Sequence, residues 1–271
     1  MPPSFADYLI VGPAGGPGSR GSRAPRGGPT WVARPPARLG LVEEVLIVPL
    51  GPLDDRSWPT VAERLTALAS IRSPRLPTLI EAGRSHGAGI PEGWAVRSSP
   101  HSLPLAAAPG GAAFAELAGA ARGAHDLHQA GWAHGDIREA TVLVADGGGQ
   151  LDLPLQAVIA EPPEVASFAD PVDLDGVEPD RLWGAGPTRA SDVYALGALL
   201  HRCLTGALLH PGLPGDAPVT AAQRALLERP RLDPRLAGPA AELVAECLDP
   251  DPGRRPPSAL AVAERLEDLA T

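Results

Sequence analysis

The hydrophobic periodicity of this chain changes character near Ser99, and that change constrains the fold more than any other feature. Ahead of it, apolar residues come in short runs suited to buried strands, at 45–50, 76–81 and 93–98. One stretch there, 59–69, has helical spacing, with Ser57 or Thr60 placed to cap it. Behind it, residues 112–130 form a long apolar helical pattern, and further helical segments are predicted at 191–205, 239–248 and 258–270. Between them, 141–144 and 150–155 flank the turn sequence Asp146-Gly147-Gly148-Gly149 in the manner of a hairpin. Residues 12–40, dominated by Gly, Pro and Arg, and the acidic stretch 156–188 read as irregular. The prediction is an α+β chain, β-rich over 1–99 and helical over 100–271, with a connection near 97–104 and no internal repeat.

Charge excludes one large class of function. The net charge is −9, which gives no basic face for displacing counterions from a nucleic acid. The distribution is uneven: residues 1–41 hold five Arg against Asp7, a net of +4, and the remainder carries −13. All 23 basic residues are Arg, and the abundance of Ala, Gly, Pro and Asp points to a GC-rich, bacterial genome. Cys203 and Cys247 sit in apolar helical patterns and are expected to be reduced core residues, not a disulfide. No leader-like start and no apolar run of about 18 residues is present, so a soluble cytoplasmic protein is expected, with no membrane association. His125, His128 and His134 lack a fourth ligand, and no zinc site is expected.

The most specific motif is His134-Gly135-Asp136-Ile137-Arg138-Glu139-Ala140-Thr141-Val142-Leu143. It resembles the catalytic loop of the protein kinases, H-R-D-[IL]-K-x-x-N-[IV]-L. Four further motifs follow in the family's order. Ala190-Ser191-Asp192-Val193-Tyr194-Ala195-Leu196-Gly197 is similar to its S-D-V-[YW]-[AS]-L-G helix start, and Leu204-Thr205-Gly206 to the L-T-G that ends that helix. The stretch from Cys247 to Pro256 resembles C-L-x-x-D-P-x-x-R-P, and Glu178-Pro179-Asp180 stands where A-P-E is usual. The resemblance, to bacterial Ser/Thr protein kinases of actinobacterial type, implies a two-lobed fold with a small β-rich N-lobe and a large helical C-lobe. It also implies structural roles for His134 and Asp192 at the loop, and an ion pair between Asp180 and Arg255. Antibiotic and choline phosphotransferases share the H-G-D triplet but lack the later elements, which favours the protein-kinase branch.

The catalytic parts implied by the resemblance depart from the pattern. Phosphoryl transfer depends on positioning and on neutralising charge. The loop keeps Asp136 at the base position and has Arg138 where Lys is usual, with Gly135 in place of Arg. Thr141 replaces a metal-binding Asn. The second metal position falls on Asp152-Leu153-Pro154, which keeps a carboxylate, or on Leu153-Pro154-Leu155, which loses it. A glycine loop is matched literally by Gly16-Pro17-Gly18-Ser19-Arg20-Gly21 and, by spacing, better by the stretch from Gly27 and Gly28 to Arg34. Val48 occupies the strand position of the phosphate-binding lysine, no basic side chain lies within 39–55, and Glu63 is the matching helix residue.

From Glu139 to Asp180 there are ten acids and no basic residue, including Glu161, Glu164, Asp170, Asp173 and Asp175, and between Leu153 and Pro179 the single hydroxyl is Ser167. Control by phosphorylation of this segment is therefore not expected. The resemblance implies ATP and Mg²⁺ as cofactors, and these departures count against both. The expectation is a pseudokinase serving as a regulatory or binding module, with a protein partner that presents a basic surface. The alternatives are an active, atypical Ser/Thr kinase using Asp136 as base, Asp152 for Mg²⁺ and Arg138 at the γ-phosphate, and a small-molecule phosphotransferase.

Overall fold

The computed structural model describes residues 7–14, 30–41, 43–85, 92–98, 103–105, 113–145, 148–155, 158, 171–211 and 218–271. The architecture is α+β. Five antiparallel strands, β1 (Leu9–Pro13), β2 (Trp31–Arg34), β3 (Val45–Pro52), β4 (Leu79–Arg84) and β5 (Glu92–Arg97), form one sheet in the order β1-β2-β3-β5-β4. A second antiparallel sheet contains β6 (Leu103–Pro104), β7 (Val142–Ala145) and β8 (Gly148–Leu151).

β3 shows why the first sheet forms. Its apolar run is buried on both faces. Leu46, Val48 and Leu50 join the main core, while Val45 and Ile47 pack with Tyr8, Ala33, Trp94 and Val96 on the other side. Pro49, which has no N–H to give a ladder, lies beyond the stretch 45–47 that pairs with β2. A bulge between Pro49 and Gly51, with Gly51 at φ 81°, takes up the irregularity against β5.

Helix α1 (Trp58–Ala69) packs on β4 through Val61, Leu65 and Leu68. Its N-cap residue is Ser57, yet that side chain makes no cap bond; it donates to Asp54 Oδ1 (2.8 Å), which also accepts from the Ser57 and Arg56 amides. β4 begins three residues later than the apolar pattern indicates, because Leu76 belongs to a turn and Pro77 follows it.

The long helix α2 (Ala113–Gln129) is packed against β8 and against the last helix of the chain. The fit to β8 is close: a Cβ on Gly149 would lie 1.9 Å from the Glu116 carbonyl oxygen, and one on Gly119 would lie 2.2 Å from that of Gly149. The remaining described helices are α3 (Pro179–Leu182), α4 (Arg189–Thr205), α5 (Pro218–Leu227), α6 (Pro239–Cys247) and α7 (Ala259–Ala270). Gly197 lets α4 approach α6, since a Cβ there would meet the Cys247 Cβ at 2.3 Å. Cys247 is buried and Cys203 half-buried, both as free thiols, and burial pushes each up to about 12. α3 is a four-residue helix inside the acidic stretch, and α5, although amphipathic, is enclosed by Pro-rich segments; neither is in the sequence reading. No described helix is long and apolar enough to cross a membrane.

Candidate functional site

The site is assembled around one buried carboxylate. α4 starts with a capping box in which Thr188 accepts from the Ser191 amide (3.0 Å) and Ser191 accepts from the Thr188 amide (2.8 Å). This fixes Asp192 in the first turn, where an acid is favoured by the helix dipole. Its side chain is 1% exposed. It accepts the backbone amides of His134 (2.7 Å) and Gly135 (2.8 Å), and His128 Nε2 lies 2.8 Å away. Asp192 therefore holds the backbone at His134 and Gly135, and is also the partner of His128.

Gly135 has φ +74°, and a Cβ there would lie 2.7 Å from the Pro187 side chain. The position thus accommodates glycine and not the usual Arg. Its carbonyl instead accepts from Arg181 of α3, whose Nε is buried without a partner and whose pKa is lowered by desolvation.

The Asp136 carboxylate is half-buried and paired with Arg138, whose Nε donates to Oδ1 at 2.8 Å. His134 Nδ1 accepts the Asp136 amide at 3.1 Å, leaving Nε2 to donate to the Asp152 carbonyl, also at 3.1 Å. Thr141 Oγ1 accepts the Arg138 amide (3.0 Å) and donates to the Asp136 carbonyl (2.7 Å). That hydroxyl closes the loop on itself, so Thr141 is a turn residue here and not a ligand facing outward. Glu139 pairs with Arg202 of α4 at 2.8 Å and ties the loop down a second time.

Asp152 follows β8 directly, and its carboxylate is turned into the protein. Oδ2 accepts from Arg97 Nη2 at 2.9 Å; Nε lies 2.8 Å from Oδ1 in ion-pair contact without hydrogen-bond alignment; Oδ1 also accepts the Leu153 amide at 2.8 Å. The two side chains are 3% and 13% exposed. The Asp152-Leu153-Pro154 register is therefore the one that places a carboxylate beside the loop. Arg97 went unnoticed in the sequence, where it served only to mark the start of the connection to 104. The available signal was a cation closing the apolar run Trp94-Ala95-Val96, since a buried guanidinium needs a carboxylate.

Val48 is buried in the main core, as its place in an apolar strand run implies. Other expected placements are corrected. Glu63 is exposed on α1, because the helix turns Val61, Leu65 and Leu68 inward. The neighbouring Arg64 reaches the Val158 carbonyl at 3.2 Å. Asp180 does not pair with Arg255: it is exposed, and Glu178, two residues earlier, forms the buried ion pair. The longer Glu178 side chain comes from the extended residue preceding α3, where it points inward, while Asp180 lies on the helix's outer turn. Arg255 also donates to the carbonyls of Ala190 (3.0 Å) and Asp249 (2.8 Å) and lies over the Tyr194 ring at 5.2 Å. Asp175, one of the acids counted in the stretch 139–180, is buried and accepts the amides of Leu209 (3.0 Å) and His210 (2.8 Å). Gly27, Gly28, the 16–21 motif, Glu161, Glu164, Ser167 and Asp170 lie outside the described residues.

Magnesium and ATP, implied by the resemblance, can be tested against these residues. Thr141 is spent within the loop, Asp152 is neutralised by Arg97, and Val48 offers no charge. The described residues do not fit a metal–nucleotide complex, and among them no cluster of three His, Cys, Asp or Glu is arranged to hold a metal.

No family model matches the chain. Over 158 residues it is 34% identical to the serine/threonine-protein kinase PknK of Mycobacterium tuberculosis, and to the protein of that name from Mycobacterium bovis. The match covers 57% of this chain and 14% of the mycobacterial protein, so the chain corresponds to a small part of the relatives it matches. Together with an α+β architecture compatible with such a fold, the similarity supports a kinase-like relationship.

Proposed function

We propose that the chain is a protein-kinase-like domain, with residues 1–99 as a β-rich N-lobe and 100–271 as a helical C-lobe, that has given up ordinary phosphoryl transfer and serves as a regulatory or binding module. The observation that carries this reading is Val48, buried among apolar side chains where the resemblance implies the phosphate-binding lysine. The loss of one preorganised electrostatic contact typically costs roughly 10²–10³ in rate. Two such losses, at Val48 and at the metal positions, leave transfer too slow to matter, even where they do not multiply fully. The partner is a protein with a basic surface, in a cytoplasmic setting; within the acid-rich stretch 139–180 it would face Asp180, since Glu139, Asp152, Asp175 and Glu178 are engaged inside the chain.

One observation favours a second reading, an active and atypical Ser/Thr kinase. Asp136 is present, partly exposed, and held on a loop that Asp192 fixes in place. Transfer of the γ-phosphate of ATP to a purified basic protein in the presence of Mg²⁺ separates the two. The proposal expects no transfer above background; transfer that disappears in Asp136→Asn would establish the active kinase.

A further inference from the structure

Arg97 ends β5, opposite Leu46 of β3 and Leu79 of β4, and its guanidinium is oriented by donating Nη1 to the Ser98 carbonyl at 2.9 Å. Asp152 is fixed independently of it. Its amide donates to the Thr141 carbonyl (2.8 Å), its carbonyl accepts from His134, and its carboxylate takes the Leu153 amide. The guanidinium thus meets a carboxylate already oriented by the Asp136 loop, and the pair joins the five-stranded sheet to that loop. A carboxylate offers about four lone-pair directions. Here one is used by a backbone amide and the two oxygens face the Arg97 fork, so an entering cation finds a carboxylate already neutralised and a positive charge beside it.

We propose that Arg97 is a built-in counter-ion that takes the place of a divalent cation on Asp152 and excludes such cations from the site. Only the identification of Asp152 as a metal position rests on the kinase-like reading; the pairing does not. Arg97 is then the residue that determines cation specificity here, and its removal converts the site into one that accepts a divalent cation through Asp152.

The test uses Mn²⁺ alone, without nucleotide, followed by the electron paramagnetic resonance signal of the free ion. The full chain, Asp152→Asn, Arg97→Leu and the double variant Arg97→Leu/Asp152→Asn are compared, with circular dichroism to check folding. The full chain and Asp152→Asn are expected to bind equally little. Arg97→Leu should bind about tenfold more tightly, about 1.4 kcal/mol, and the double variant should lose that gain. Should Arg97→Leu not fold, Arg97→Gln keeps a donor for Asp152 without the charge and carries the same expectation. Mn²⁺ binding by the full chain that Asp152→Asn abolishes would overturn the proposal, as would folded Arg97 variants that gain no binding. The outcome is independent of whether phosphoryl transfer occurs, because no nucleotide is present.

Discussion

Charged residues in this chain are informative chiefly through what they are buried against. The Glu178–Arg255 pair is 7% and 2% exposed and is continued by two carbonyls and the Tyr194 ring, whereas Asp180 faces solvent. Breaking a buried pair from one side leaves an uncompensated charge and costs about 3–5 kcal/mol; an exposed substitution stays within about 0.5 kcal/mol. Glu178→Gln should therefore lower unfolding free energy in denaturant by about 3 kcal/mol, and Asp180→Asn should leave it unchanged. Equal effects would contradict the assignment of the pair. The spacing of Glu178-Pro179-Asp180 did not distinguish the two acids, because which one points inward is decided by the backbone turn entering α3 and not by charge or order. Arg97 was hidden for the same reason: its partner lies 55 residues away, and no local pattern joins them.

At the level of elements, legibility followed periodicity. β3, α2, α4, α6 and α7 emerge within a few residues of their observed bounds, β3 from a continuous apolar run and the helices from apolar residues at helical spacing. The acidic stretch hid the short helix α3, and α5 sits among turn-forming residues. The glycines were read as turn formers, yet at Gly149 the reason is a close approach of strand β8 to helix α2. An added methyl would overlap the Glu116 backbone, and neither element can move without disturbing the core on its other side. Gly149→Ala should destabilise by about 3 kcal/mol, at or beyond the upper end of ordinary overpacking, whereas Gly184→Ala, in open space at φ +93°, should cost only backbone strain of about 1 kcal/mol. Thermal unfolding of the two variants ranks them, and the reverse order would count against the described α2–β8 contact.

Across the whole molecule, the helical part also buries two histidines besides the Asp192 hub and the Glu178–Arg255 pair. His201 is fully buried and its Nε2 accepts the Asp233 amide at 2.9 Å; His210 is buried likewise. Burial lowers the pKa of both below the ordinary value of 6.5 and raises that of Asp175 above its own. For each histidine the unfolded chain binds the proton first as pH falls, so the stabilisation is present above about pH 6.5 and is lost below it. Asp175 acts in the opposite sense: its carboxyl takes up a proton in the folded state first, and this offsets part of the loss at more acidic pH. Stability should therefore decline from about pH 7 to about pH 5.5, and His201→Gln, which keeps an acceptor for the Asp233 amide, should flatten the decline. A pH-independent denaturant midpoint in that window would contradict neutral, buried imidazoles.

Replacement of the metal and phosphate positions by an internal ion pair and an apolar side chain can be read from the melting temperature of the full chain. Ligands that bind the folded state raise it by mass action, by an amount equivalent to about 2.7 kcal/mol at a hundredfold excess over Kd. With ATP and Mg²⁺ in excess no Mg²⁺-dependent rise is expected, in the parent chain and in Asp152→Ala measured against its own ligand-free melting temperature. A rise of several degrees that requires Mg²⁺ and disappears in Asp152→Ala would contradict it.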